Sequence, residues 1–125
     1  MITIRLPLPP TGLSPNAPHG AHWGPQYRLK KKYGEVVGYI VKQAVRGTVG
    51  LPWDKAVCRI TWYTRTPNNR RDADNCIASF KAGLDSLEGW VIVNDSGLVL
   101  ELADPFFVMA PGKEGYVQLE LTEVT

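Results

Sequence analysis

AVCRITWYTRTPNNRRDADNCIASFKAGLDSL, residues Ala56–Leu87, holds two periodicities joined by a turn. Cys58, Ile60 and Trp62 alternate with Arg59, Thr61 and Tyr63. That period of two sets one face of a strand against a core and predicts a strand near 56–64. Thr66-Pro67-Asn68-Asn69 is turn chemistry, because proline presets φ and asparagine bonds its own backbone. Ile77, Phe80, Leu84 and Leu87 then recur at helical spacing, predicting a helix over about 74–88 stopped by Gly89. A strand leading into a helix with one apolar stripe calls for a sheet with helices laid on it.

The flanks agree. Ile2, Ile4 and Leu6 alternate with Thr3 and Arg5, giving a strand at 2–7 that Pro7, Pro9 and Pro10 end. Thr11 to Pro25 reads as an ordered loop. Tyr33, Val36, Val37, Ile40, Val41 and Ala44 mark an amphipathic helix at 26–46, closed by Gly47 and Gly50. After Gly89 come a short apolar run, Trp90 to Val93, and a turn at Asn94-Asp95-Ser96-Gly97. Leu98 to Leu102 and Phe106 to Met109 then read as two strands, and Tyr116 to Thr122 alternates as a last one. The order β-α-β-α-β-β-β predicts an α+β fold over residues 1–125, a single domain with two helices packed on one mixed sheet.

Composition bounds the function. With 44% apolar and 21% charged residues, 125 residues suffice for one core and do not suit a disordered chain. Two cysteines, Cys58 and Cys76, make no disulfide framework and are expected as free thiols. Without a Cys-x-x-Cys or a Cys/His cluster, zinc is not expected, and His19 and His22 are a poor metal pair in a Pro/Gly loop. No cationic apolar leader and no run of about 20 apolar residues is present, so a cytoplasmic protein outside the membrane is expected. Residues 1–81 carry thirteen Lys/Arg against four Asp/Glu, while residues 82–125 carry one against eight. That asymmetry suits a polyanionic partner for the first part.

Arg70-Arg71-Asp72-Ala73-Asp74-Asn75 carries the chemistry. Two carboxylates beside two guanidiniums can hold a divalent cation against a phosphate ester. Carboxylate oxygens suit Mg²⁺ or Mn²⁺, and arginine forks suit phosphate. Asp95 offers a third ligand, and Lys81 a cationic helper. On one continuous helix, Asp74 and Lys81 would share a face at a separation of roughly 10 Å. Lys30, Lys31 and Lys32 load the start of the first helix with positive charge against its dipole, which a bound phosphate would relieve. Each acid also has a plain structural alternative: helix capping for Asp72 and Asp74, an ion pair of Lys81 with Asp85, and turn formation for Asp95.

Arg71-Asp72-Ala73-Asp74-Asn75, Phe80-Lys81, Leu84-Asp85-Ser86-Leu87 and Val93-Asn94-Asp95-Ser96 resemble the RusA-type Holliday junction resolvases of bacteria and phages. Leu6-Pro7-Leu8-Pro9-Pro10, Ser14-Pro15-Asn16 and His22-Trp23 are similar to their opening, so the resemblance spans nearly the whole chain. It implies a homodimer that cuts four-way DNA junctions with Mg²⁺ or Mn²⁺. Asp72, Asp74 and Asp95 would be the metal-binding and catalytic acids, and Lys81 the catalytic lysine. Two positions depart from the family pattern: the lysine often stands at the place of Ala78, and an acid at the place of Asn94.

The expectation from sequence is therefore a Mg²⁺-dependent endodeoxyribonuclease. Arg70 and Arg71, with Lys30, Lys31 and Lys32, would grip the DNA backbone. A nuclease for other branched or single-stranded DNA, a DNA-binding module without strong catalysis, and an accessory phage protein whose acids only cap a helix are the alternatives.

Overall fold

A computed structural model describes residues 1–10, 23–65 and 73–125 of the chain. The elements in order are β1 (Ile2–Pro7), α1 (Trp23–Val45), β2 (Ala56–Thr64), α2 (Ala73–Ser79), α3 (Lys81–Asp85), a 3-10 turn (Asp95–Gly97), β3 (Leu98–Met109) and β4 (Tyr116–Glu123). This is an α+β fold on a four-stranded mixed sheet, in the order β1-β4-β2-β3. β4 runs antiparallel to β1 and β2, and β3 runs parallel to β2. Strands β1, β2 and β3 therefore all point one way. Each of the two connections between them, α1 and then α2 with α3, returns over the sheet as a helical crossover.

One face of the sheet is covered and the other is open. The register aligns Leu6, Val117 and Trp62 in one row, Ile4, Leu119 and Ile60 in the next, and Leu121 with Cys58 in a third. All of these are buried against the helical layer. From α1 come Tyr33, Val37, Val41 and Val45, a stripe at every fourth position. Val36 is exposed and so is Ala44, so the buried stripe is narrower than the periodicity predicted. The open face carries Arg5, Arg59, Glu101 and Gln118, with Arg59 and Glu101 in an ion pair at 2.8 Å. Tyr33 donates its hydroxyl to the Pro7 carbonyl at 2.6 Å, which ties α1 to the carboxyl end of β1. Burial raises the pKa of that phenol.

Three predicted elements differ. The first helix begins at Trp23 and not at 26, so Lys30, Lys31 and Lys32 lie about two turns inside it and do not load its start against the dipole. The single helix over 74–88 is two short helices with a break at Phe80. The Phe80 amide reaches both the Cys76 and Ile77 carbonyls at 3.1 Å, and its backbone sits at φ −95°, ψ 7°. The break lets the ring bury completely, edge-on to Trp62 at 6.3 Å. The same ring fills the space where a side chain on Gly83 would begin. The two strands predicted at 98–102 and 106–109 are one strand, β3. Its register against β2 slips between Ile60 and Trp62, so Leu102 pairs with Ile60 and Phe107 with Trp62. Ala103–Phe106 bulge there, and Phe106 stacks on Trp62 at 6.2 Å.

Among the described residues, no helix is long and apolar enough to cross a membrane. Cys58 and Cys76 are buried, and they are thiols outside any disulfide, as expected.

Phe80→Ala removes the ring that joins the helix break to the sheet. A loss of about 3–5 kcal/mol in unfolding free energy is expected from chemical denaturation. Burial pushes the Cys58 thiol from 9.0 up to about 12. Folding therefore favours the neutral thiol, and its contribution is intact below pH 9.0 and declines as pH rises from there towards 12. Denaturation of Cys58→Ala across this range should show a flatter alkaline limb than the parent chain.

Candidate functional site

Of the acidic motif, Ala73, Asp74 and Asn75 are described, and they open the helix that follows the carboxyl end of β2. β2 ends at Thr64, and α2 opens at Ala73 with Asp74 exposed in its first turn. Arg70, Arg71, Asp72 and the turn at Thr66–Asn69 lie outside the described residues. Phe80 packs over Trp62, close to that end of β2. The lysine cluster lies at the same end. Tyr33 is bonded to Pro7, the last residue of β1, and Lys30, Lys31 and Lys32 precede Tyr33 within one turn of α1. All three lysines are exposed, and no acidic residue stands in the first turn of α1.

Lys81 opens α3 beyond the Phe80 break and is exposed. Because the helix is interrupted, Asp74 and Lys81 do not sit on one continuous helical face, and the sevenfold spacing that predicted their alignment does not apply. Nor does Lys81 pair with Asp85: among the described residues, the ion pair is that of Arg59 with Glu101.

Asp95 lies elsewhere. Trp53 leads into β2, and its amide donates to Val91 and its carbonyl accepts from Val93, both at 2.8 Å. The chain then turns through Asp95–Gly97 into β3, where Leu98 pairs with Ala56 at the amino end of β2. Gly97 packs on the Asp54 carbonyl so closely that no side chain fits at that position. Asn94 caps the 3-10 turn: its side-chain oxygen accepts from the Ser96 amide at 3.0 Å. The turn is thus held by Asn94, and the Asp95 carboxylate is exposed and is not the cap.

Asp74 and Asp95 therefore sit at opposite ends of β2 within one chain. From Trp53 to Trp62 an extended strand spans roughly 30 Å at about 3.3 Å per residue. Among the described residues, no group of three or more His, Cys, Asp or Glu side chains gathers around a common point. The donor set is nonetheless of one chemical kind. Asp72, Asp74 and Asp95 offer hard carboxylate oxygens, which suit Mg²⁺ or Mn²⁺ and not a soft metal.

A groove of about 550 Å³ escaped the sequence reading. It lies between α1 and α3, with Gly34 and Gly38 on one side and Ala82 and Asp85 on the other. Lys30 and Lys31 line it, as does Trp90, whose ring carries the Lys42 ammonium at 5.5 Å. The glycines four residues apart on α1 were the signal: neither meets another atom where a side chain would begin, so they leave the helix surface hollow. This groove puts Lys30 and Lys31 on the helical side of the protein, beside α3.

No protein-family model matches the chain, and no curated protein matches its sequence.

Lys81→Ala tests whether the lysine has a structural role. With its side chain exposed and no ion pair to lose, the change in unfolding free energy should stay within about 0.5 kcal/mol, measured by denaturant titration. A larger loss would give Lys81 a packing role that its position does not suggest.

Proposed function

We propose that this protein is a RusA-type, metal-dependent endodeoxyribonuclease that resolves four-way DNA junctions in the cytoplasm. The observation that carries this reading is the opening of α2 at Ala73-Asp74-Asn75, with Asp74 exposed at the end of the sheet where Lys30, Lys31 and Lys32 also stand. Carboxylates and cations at one end of a sheet suit a phosphodiester bridged to a hard cation. The resemblance of the motif, of Val93-Asn94-Asp95-Ser96 and of the amino-terminal run adds to that support.

Asp72, Asp74 and Asp95 would hold Mg²⁺, with Mn²⁺ as a substitute. When bound, such an ion lowers the pKa of a coordinated water and offsets charge on the scissile phosphate. The chain's own groups do the rest. Lys81 would stabilise charge on the phosphate oxygens as the bond breaks. Arg70, Arg71 and Lys30–Lys32 would hold the backbone through charge, so binding should weaken steeply with added salt. Because Asp74 and Asp95 lie at opposite ends of β2 in one chain, the three acids meet only if a second copy supplies its Asp95. A homodimer is thus part of the proposal, and its two-fold symmetry would offer one site to each of two opposed strands. If the chain stays monomeric, the same separation favours a DNA-binding module without catalysis.

A labelled four-way junction incubated with the purified protein, with and without Mg²⁺, is the test. Paired symmetrical nicks that require Mg²⁺ are expected. Asp72→Asn should abolish them while leaving the junction shifted on a native gel. Cleavage of forks, flaps or single strands in preference to the junction would transfer the activity to another substrate. A shift without product at any metal concentration would leave a binder. Lys81→Ala should lower turnover at least about a hundredfold with affinity nearly unchanged, and unaltered turnover would remove the lysine from the reaction.

A further inference from the structure

We infer that the groove between α1 and α3 binds a purine ribonucleoside diphosphate, with its base at Trp90, its ribose beside Asp85 and its phosphates at Lys30 and Lys31. The site is argued from the groove alone and goes beyond the nuclease reading above.

Opposite charges face this groove without meeting. Lys30 and Lys31 line it from α1, while Asp85 and Glu88 line it from the end of α3 and the turn that follows. All four are exposed, and among the described residues none of them is in an ion pair. The glycines keep the two walls apart. At Gly34 and Gly38 no atom lies within 4 Å of where a side chain would begin, so the floor is bare helix backbone. The volume of about 550 Å³ is that of a small-molecule site. A wall of cations and a wall of carboxylates suit a ligand that is anionic at one end and carries hydrogen-bond donors along the rest.

Chain direction orders these groups. α1 follows β1, and α2 with α3 follows β2, and the two strands point one way, so both helical segments return over the sheet in the same sense. Lys30 and Lys31 stand one turn before Gly34 and two before Gly38, at the end of the groove nearer the carboxyl ends of the strands. Trp90 stands at the other end, because its ring carries Lys42, one turn beyond Gly38. From Lys31 to Lys42 the helix rises roughly 16 Å, comparable to an extended nucleoside diphosphate. Trp90 is 43% exposed and also borders a second hollow, which Lys42 lines, whereas Lys42 does not line the groove. The ammonium thus lies on the far side of the indole, and the side towards the groove is left for a base to stack on.

Charge decides which end takes which part of the ligand. Phosphate oxygens accept from Lys30 and Lys31. Ionised Asp85 and Glu88 can only accept, so they call for donors. A ribose supplies two hydroxyls at the middle of the groove, and adenine supplies an amino group beside Glu88 and a broad face for Trp90. A DNA strand suits the groove less well. Its linked sugars carry no free hydroxyl, and its repeating phosphates would run into Asp85 and Glu88.

Isothermal titration of the full chain with ADP, without DNA or divalent cations, is the test. One ADP per chain is expected. Trp90→Ala should weaken binding at least about tenfold, the scale of one lost base stack. Gly38→Leu should abolish binding, because the added side chain fills the groove. It should keep the far-ultraviolet spectrum, because leucine favours a helix over glycine and its Cβ meets no other atom there. The 2′,3′-dideoxy analogue of ADP should bind more weakly than ADP. Absence of ADP binding, or binding untouched by both Trp90→Ala and Gly38→Leu, would overturn the site. Equal affinity for ADP and inorganic pyrophosphate would overturn it too, leaving two surface lysines. An oligothymidylate that binds the parent chain and is lost in Gly38→Leu, where ADP does not bind, would give the groove to a DNA strand instead. The nuclease reading fails separately: a chain that binds ADP through this groove but does not cut junctions keeps the site and loses the activity. One that cuts junctions without binding ADP keeps the activity and loses the site.

Discussion

Phe80 buries its ring completely only where the helix that carries it breaks. The ring lies edge-on to Trp62 and over Gly83, and its amide is shared between two carbonyls. That contact fixes the start of α3 relative to β2, and with it the direction in which Lys81 leaves the core. It also fixes how far the chain travels before Val91 and Ile92 bury beside Trp53. The position of Lys81 follows from this aromatic pair, whereas the 3-10 turn that carries Asp95 is held by the bonds of Trp53 to Val91 and Val93 and by Asn94.

β2 supplies the axis along which those consequences are laid out. It pairs with β4 on one side and β3 on the other, and both crossovers begin or end at it. The start of α2 belongs to its carboxyl end, and the 3-10 turn to its amino end. A parallel β-α-β connection always separates its two loops in this way, because the helix must return the length of the strand. Acids placed in the two loops of one crossover cannot meet inside that crossover. On the nuclease reading proposed above, they would meet only where a second copy supplies the other acid.

Strand and helix existence was legible because the apolar periods are clean. Ile2, Ile4 and Leu6 form β1, Cys58, Ile60 and Trp62 form β2, and Tyr33, Val37 and Val41 form the buried stripe of α1. The break at Phe80 was hidden because the bend keeps Ile77, Phe80, Leu84 and Leu87 turned towards the core, so the period survives it. Gly83, whose missing side chain makes room for the ring, was its trace. The continuity of β3 was hidden by Asp104-Pro105, which resembles a strand end. Proline is tolerated there because β3 is an edge strand with a bulge, and edge position depends on strand order, which local pattern does not encode. For the site, the acids and lysines could be named from chemistry. Their separation along β2 could not, because it follows from which strand β3 joins and in which direction.

The charge asymmetry of the sequence acquires a direction in the fold. On the open face of the sheet, Arg59 is paired with Glu101, and Arg5 lies against Gln118 at 3.1 Å and over the Tyr116 ring at 4.9 Å. Arg5 keeps its charge there, but Glu101 and Glu120 on the same face oppose the two arginines, so the open face presents little net field. Lys30, Lys31 and Lys32 stand in successive exposed positions about two turns into α1, and Lys42 lies farther along the same helix over Trp90. A polyanion would accordingly be drawn to the helical side of the molecule, at the carboxyl end of the parallel strands, where field lines from several like charges add. That is the end at which Asp74 emerges. Attraction of a phosphate backbone to a position that also presents a carboxylate is unfavourable unless a cation stands between them. On the nuclease reading proposed above, a divalent ion would stand between that carboxylate and the phosphate.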